Sequence, residues 1–357
     1  MVVCLNVTMQ KAYIMPLSTP ETTPKAREPI LQVRNLKKYF GGGGGFGLGA
    51  KKTVIQAVED VSFDLYPGET LGMVGESGCG KSTVARTLLR LDEPTSGEAL
   101  FHGKDIFTMN PQELIQLRRK MQVIFQDPYA SLNPRMSVEA TISEPWSIHK
   151  DILPKEEWPD RVRDLLESVG LRRDHAERYP HQFSGGQLQR IGIARAMTLE
   201  PEILLCDEPV SALDLSIQAQ VINLLEELQE RFNIAFLFIA HDLSVVRHIS
   251  DRVAVMYLGR VAELGTEAQV YETPRHPYTR ALLSAEPNLE FGKTTSSDRI
   301  MLQGEVPSPA NPPSGCRFRT RCWKAQDICA GEAPDLAVQS DGNLHQAACY
   351  FPEPLPE

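Results

Sequence analysis

The residues best equipped for chemistry are Gly75-Glu76-Ser77-Gly78-Cys79-Gly80-Lys81-Ser82-Thr83, a complete G-x-x-x-x-G-K-[ST] loop. Thr70 to Val74 before it reads as a short buried strand. Val84, Leu88 and Leu91 after it recur at i, i+4 and i+7, the period of a helix with one apolar face. Strand, glycine loop and helix in that order turn backbone N–H groups and a helix N-terminus toward phosphates. Lys81 then reaches the β- and γ-phosphates, and the Ser82 hydroxyl ligates Mg²⁺. A second stretch, Ile203-Leu204-Leu205-Cys206-Asp207-Glu208, is an apolar strand ending in two acids. Asp207 is placed to hold the metal through a bound water, and Glu208 to act as the general base that orients water against the γ-phosphate.

A third stretch, Phe183-Ser184-Gly185-Gly186-Gln187, opens a helix. Ser184 and Gln187 form a capping box, and the glycines between them permit close approach of an anion to the helix N-terminus. One chain thus carries two phosphate-facing helix starts, which implies a shared site where the second motif completes a neighbour's nucleotide. Gln126 ends the strand Val123 to Phe125, where its amide can contact Mg²⁺ or water. His241 follows the strand Ala235 to Ile239 and can donate a hydrogen bond to the γ-phosphate.

In this order and spacing the motifs resemble the ATP-binding-cassette ATPases, over about Leu31 to Pro287. The resemblance implies an α/β P-loop fold and two cassettes meeting head to tail, each ATP lying between one phosphate loop and the opposite Ser-Gly-Gly-Gln helix. It makes Gln126 the Q-loop glutamine, Ser211-Ala212-Leu213-Asp214 the D-loop and His241 the switch histidine. It also calls for an aromatic stacked on adenine after the first strand; Phe40 aligns best, with Tyr39 beside it. Phe183 stands where Leu is commonest, a mild departure.

The closer resemblance is to ATPase subunits of bacterial dipeptide and oligopeptide importers. It rests on Phe125-Gln126-Asp127-Pro128-Tyr129-Ala130-Ser131-Leu132-Asn133-Pro134-Arg135, on Arg178-Tyr179-Pro180-His181-Gln182, and on His276-Pro277-Tyr278-Thr279. Nickel and glutathione importers share these stretches. The resemblance implies an ATP-hydrolysing motor at the cytoplasmic face of the bacterial inner membrane. Its implied partners are a sister ATPase in preference to a second copy, two permease subunits and, indirectly, an extracellular solute-binding protein.

Of seven cysteines, Cys4, Cys79 and Cys206 are scattered, whereas Cys316, Cys322, Cys329 and Cys349 cluster near the C-terminus. Four thiolates suit Zn²⁺ or a [4Fe–4S] cluster, though the paired Cys-x2-Cys knuckles of many zinc sites are missing. The importer resemblance implies [4Fe–4S] ahead of zinc or free thiols. Arg317, Arg319, Arg321 and Lys324 surround the first two cysteines, either to offset an anionic site or as a solvated basic face. The usage fits a reducing compartment with one cysteine-rich site.

These residues need a scaffold, and 357 residues with 42% hydrophobic content provide ample core. A net charge of −9 gives a nucleic-acid partner no electrostatic support. The longest apolar run, Ile234 to Ala240, is seven residues, far short of the roughly 20 that span a bilayer. Membrane association is therefore expected through another subunit. Residues 1–28 read as a mobile tail, 29–286 as the ATPase domain with a helical subdomain at about 127–183, and 287–357 as a cysteine-bearing extension. The glycine run Gly41 to Gly45 reads as a flexible hairpin connection. Val162, Leu165, Leu166 and Val169 mark one helix face closed by Gly170, and Ile217, Val221, Leu224, Leu225 and Leu228 mark another. A DNA-repair or translation ATPase would need coiled-coil arms or tandem cassettes, and a GTPase an Asn-Lys-x-Asp motif; none occurs. A regulatory ATPase with a metal- or redox-responsive cysteine site is the remaining rival.

Overall fold

The computed structural model describes residues 28–41, 53–286, 299–338 and 345–354. Nearly all of the expected N-terminal tail, and Gly42 to Gly45 of the glycine run, lie outside the described residues. The strands are β1 (Leu31–Phe40), β2 (Ile55–Leu65), β3 (Thr70–Val74), β4 (Ser96–Phe101), β5 (Lys104–Asp105) and β6 (Met121–Ile124), then β7 (Ile203–Asp207), β8 (Ala235–Ile239), β9 (Arg252–Tyr257), β10 (Arg260–Thr266), β11 (Ala337–Val338) and β12 (Gln346–Ala347). The helices are α1 (Lys81–Leu88), α2 (Pro111–Lys120), α3 (Pro128–Ser131), α4 (Val138–Ile148), α5 (Trp158–Ser168), α6 (Gly185–Met197), α7 (Leu215–Phe232), α8 (Leu243–Ile249), α9 (Glu267–Glu272), α10 (Pro277–Ala285) and α11 (Ile328–Gly331).

Two sheets result. The first is antiparallel, in the order β2-β1-β4-β5; the second runs β11-β12-β10-β9-β3-β8-β7-β6. Its strands from β6 to β9 are parallel, and β10 then pairs antiparallel with both β9 and β12. The central strands are buried on both faces, which is why their sequences read as unbroken apolar runs. Leu204, Cys206, Phe236, Phe238, Val253 and Val255 face one core, shared with α4 to α8. Ile203, Leu205, Leu237, Ile239, Ala254 and Met256 face the other, shared with α1 and the antiparallel sheet. Alternation along each strand divides the two sets.

The periodic segments form where expected, with differences at their ends. On α5, Val162, Leu165 and Leu166 are buried, and Gly170 at φ 72 carries the chain out of the helix. In α7, Val221, Leu224, Leu225 and Leu228 are buried and Asn233, at φ 53, ends the helix. Helix α1 stops at Leu88, so Leu91 lies beyond it and is exposed. Arg90, at positive φ, turns the chain before Leu91 can join the buried face. Strand β4 of the antiparallel sheet carries no clear strand period, because Ser96 to Phe101 mixes Gly, Ser and Glu among its apolar positions.

The C-terminal segment does not stand apart. Strand β12 pairs with β10, so residues after 300 continue the main sheet. Beneath that junction the fully buried Glu263 accepts hydrogen bonds from the backbone N–H groups of Arg275 (2.7 Å) and His276 (2.8 Å), and its Oε1 lies 2.7 Å from His345 Nε2. A buried carboxylate with three partners costs little; the same partners left unmatched cost a great deal.

Replacing Glu263 by Ala should lower unfolding free energy by about 3 kcal/mol, the usual penalty for breaking such a buried network. A denaturant midpoint unchanged from the wild type would refute this. Burial also lowers the pKa of His276 to about 4, so protonation favours the unfolded chain. That contribution is complete above about pH 6.5 and is lost as pH falls toward about 4. The gap in stability between wild type and His276→Gln, measured across this interval, should narrow or reverse at its acid end.

Candidate active site

Four neighbouring parallel strands end in a row, and each delivers one functional group. Register pairs Ile124 with Cys206, Asp207 with Ile239, and Ile239 with Met73. Gln126, Glu208, His241 and the glycine loop therefore emerge at one edge, the carboxyl edge where ligands of open parallel sheets bind. Ala57, Ser77, Gly78, Gly80, Lys81, Ser82, Thr83, Gln126, Glu208 and His241 line a cavity of about 470 Å³ there.

The loop folds as its glycines require. Gly80 caps α1 at φ 110, and a β-carbon there would lie 2.2 Å from the Ala57 carbonyl oxygen. Only glycine fits both the conformation and the space. Lys81 is almost fully buried, and its Nζ donates to the carbonyls of Gly75 (2.8 Å) and Glu76 (3.3 Å). Cys79 is buried with its thiol pKa pushed up by desolvation, and burial raises that of Cys206 as well; neither thiol is poised as a nucleophile.

Ser82 Oγ donates to Asp207 Oδ1 at 2.7 Å. Desolvation raises the Asp207 pKa, and the neighbouring Glu208 charge adds to the rise; the Ser82 bond opposes both. Glu208 takes φ 49, in the left-handed region, and so departs from the strand direction of Asp207. Its Oε2 accepts from Gln126 Nε2 at 2.8 Å and lies 3.3 Å from His241 Nδ1. Hydroxyl and carboxylate oxygens at Ser82 and Asp207, with the Gln126 amide close by, are the hard donors that Mg²⁺ prefers. The chemistry open to this arrangement is phosphoryl transfer to water.

The remaining expected residues lie elsewhere. Ser184 and Gln187 make their capping box, Ser184 Oγ accepting from Gln187 N at 3.4 Å and Gln187 Oε1 from Ser184 N at 3.0 Å. None of Ser184, Gly185, Gly186 or Gln187 lines the cavity. Asp214 Oδ1 caps α7 by accepting from Ile217 N at 3.0 Å and from Ser216 Oγ at 2.8 Å, which lowers its pKa. The Tyr39 hydroxyl hydrogen-bonds Glu59, whereas the Phe40 ring carries the Lys38 ammonium 4.7 Å from its centroid.

Cys316, Cys322, Cys329 and Cys349 line one small cavity. The Phe351 backbone N–H donates to Cys349 Sγ at 3.4 Å, and burial raises the pKa of the Cys316, Cys322 and Cys349 thiols. Among the described residues no group of three or more Cys, His, Asp or Glu stands in a metal-holding arrangement. Of the two readings open for the surrounding cations, the solvated face does not hold for two of them. Arg317 is buried and bonds the Leu258 carbonyl and Gln56, and Arg321 bonds Glu76. Arg319 bonds Ser314 and Lys324 bonds the Pro352 carbonyl.

Fold and site together define an ATP-binding-cassette ATPase. The ABC transporter family model matches residues 58–211, and that of the oligopeptide/dipeptide transporter C-terminal region matches 262–329. The oligopeptide transport ATP-binding protein AppF of Bacillus subtilis is 53% identical over 92% of this chain and 99% of its own length. OppF of Haemophilus influenzae, of the same description, is 52% identical over 84% and 90%. Among solved structures, the ATP-binding cassette MJ0796 bound to ADP and Pi superposes with TM-score 0.58 at 28% identity, covering 66% of this chain and 98% of that one. CbiO1 of Clostridium perfringens, part of a CbiONQ transporter complex, gives the same score over 69% and 91%. The chain belongs to the ABC-transporter family of oligopeptide transport ATP-binding proteins.

Gly80→Ala should fold but lose nucleotide binding, its dissociation constant for ATP rising by at least about tenfold. Equilibrium binding of a fluorescent ATP analogue checks this, and an unchanged constant would free the loop from the geometry described.

Proposed function

We propose that this chain is the ATP-hydrolysing subunit of an ABC importer that energises uptake of di- and oligopeptides through partner permeases. The observation that carries the reading is the meeting of Lys81, the Ser82–Asp207 pair and the Gln126–Glu208–His241 cluster at one sheet edge. The match of the C-terminal region to the peptide-transporter family model supports the substrate class over nickel or glutathione. Among the described residues no helix is long and apolar enough to cross a membrane. The chain acts at the cytoplasmic face of the inner membrane by binding integral partners.

Lys81 and the loop N–H groups hold the β- and γ-phosphates. Ser82, Asp207 and Gln126 hold Mg²⁺, which when bound neutralises charge developing on the phosphates. Glu208 orients the attacking water as general base, and His241 donates to the γ-phosphate. Phe40 stacks on adenine, because the Tyr39 hydroxyl is committed to Glu59. The Ser184 to Gln187 helix start serves the ATP of a second cassette, which agrees with its position outside this chain's own cavity. Asp214 stands at that same interface. The second cassette is a sister subunit, as the resemblance implies.

Helices α3 to α5, within about 127–183, form the helical subdomain of the 29–286 ATPase domain, and relay motion from Gln126 to permease loops. A groove between α2 and β6 on one side and α4 and α6 on the other is lined by the exposed Ile115, Phe125 and Ile148 and suits that contact. A solute-binding protein outside the membrane delivers the peptide to the permeases.

The cysteine extension holds a [4Fe–4S] cluster through Cys316, Cys322, Cys329 and Cys349. Support comes from their shared cavity and from the Phe351 N–H bond to Cys349 Sγ, a contact that favours thiolate over thiol. The four sulfurs must still adjust to reach ligand geometry.

Glu208→Gln should bind ATP normally, hydrolyse it at least about a hundredfold more slowly, and trap the closed dimer. Purified from gently solubilised membranes with ATP, it should bring two permeases and a sister ATPase. Near-normal hydrolysis would remove Glu208 from its role, and a soluble homodimer would sink the transport reading. Anaerobically purified protein should carry iron, acid-labile sulfide and absorbance near about 400 nm; a colourless, iron-free protein would refute the cluster.

A further inference from the structure

The phosphate loop is held from outside the P-loop domain. Arg321 Nη1, on the segment between Cys316 and Cys322, donates to both carboxylate oxygens of Glu76, at 2.9 and 3.1 Å. The guanidinium side chain is only 9% exposed and lies 5.9 Å from the ring centroid of Tyr257. The Glu76 backbone N–H donates to the Tyr278 hydroxyl at 3.0 Å. Side chain and backbone of the same loop residue are thus anchored by Arg321 of the cysteine-bearing extension and Tyr278 of α10. Phe318 packs on Tyr257 and Tyr278, at 5.2 and 5.4 Å between ring centroids, and ties these anchors into one aromatic block.

A second strut runs in parallel. Arg317 donates to the Leu258 carbonyl, and the next residue, Gly259, donates its N–H to the Cys79 carbonyl at 2.8 Å. The Glu76 end of the Glu76 to Cys79 arc therefore rests on the cysteine-bearing extension directly, and the Cys79 end rests on the β9–β10 turn that Arg317 holds. The Glu76 carbonyl also receives Lys81 Nζ, so the position of Glu76 bears on where the lysine sits.

We infer that Arg321 is a positioning residue for ATP binding, holding the phosphate loop in its receptive shape through Glu76. A loop fixed beforehand loses less entropy on binding. Nucleotide affinity is thereby tied to the integrity of the cysteine extension, whatever that extension holds. The inference needs only that ATP binds the phosphate loop, and so it survives if the peptide or cluster assignments fail.

The test uses the full-length chain and a fluorescent ATP analogue with Mg²⁺. Arg321→Met should raise the dissociation constant about tenfold, and Arg321→Lys, which keeps the charge, about threefold. In the assembled importer, KM for ATP should rise with kcat held within about twofold, as expected when ground-state and transition-state binding fall together. Glu76→Gln should weaken binding too, and the double variant should bind no more weakly than the weaker single variant. A wild-type dissociation constant in Arg321→Met, even with a lowered Tm, would reduce the contact to ordinary stability and overturn the inference. Fully additive losses would overturn it as well, since Arg321 would then act without Glu76. If Arg321→Met does not fold, Glu76→Gln carries the test alone, because it leaves the extension untouched; unchanged affinity there is equally fatal.

Discussion

The site depends on the register of four parallel strands. Side chains alternate along a strand, so a slip of one residue in β7 would send Asp207 away from Ser82 and swap the two faces of the core. The register is fixed by burial: Ile203 and Leu205 belong to one core, Leu204 and Cys206 to the other, and all are fully enclosed. Hydrophobic packing thus sets where the polar groups emerge. Among these ends only the glycine loop needs a special backbone over several residues; Gly75, Gly78 and Gly80 take positive φ, and the Ala57 carbonyl approaches Gly80 where no β-carbon fits.

The same logic explains what could be read from the residues alone. Motifs whose chemistry demands fixed spacing were legible, because Lys81 and Ser82 must follow the loop directly and Asp207 must end its strand. The central strands β3 and β8 matched their apolar runs end to end, since burial on both faces leaves no polar interruption. Strands β4, β5, β10, β11 and β12 escaped notice; β5, β11 and β12 have two residues each, too few for any period to show. The roles of Arg317 and Arg321 were hidden for a different reason. A cation near cysteines in sequence reads as local, yet the partners of Arg321 and Arg317 are Glu76, Leu258 and Gln56, far away along the chain.

The extension therefore has two structural faces. One is a graft onto the sheet, where β12 pairs with β10 and the carboxylate of Glu263 joins the adjacent N–H groups of Arg275 and His276 to the His345 ring. The other is a brace on the phosphate loop. A graft alone would need only apolar contact and ladder hydrogen bonds. Arg321 is instead drawn out of water to meet an acid on the loop, and its Nε is left without a partner among the described residues. Burying a guanidinium is costly unless its bonds are good, so a contact of this kind narrows the conformations open to Glu76 more than it adds stability.

At the opposite end of the site a backbone torsion separates two like charges. Asp207 and Glu208 are adjacent, and in extended strand geometry their side chains would point to opposite faces, one of them into the core. The left-handed φ of Glu208 breaks that alternation. Its N–H still bonds the Ile239 carbonyl at 2.9 Å, keeping it level with β8, while its carboxylate swings to Gln126 and His241. Asp207 is left to Ser82 and the metal side of the site. Such a torsion costs of the order of 1 kcal/mol for a residue other than glycine. A glycine would adopt the torsion more easily but would bring no carboxylate. The strain is therefore the condition under which two neighbouring acids divide metal binding from water activation.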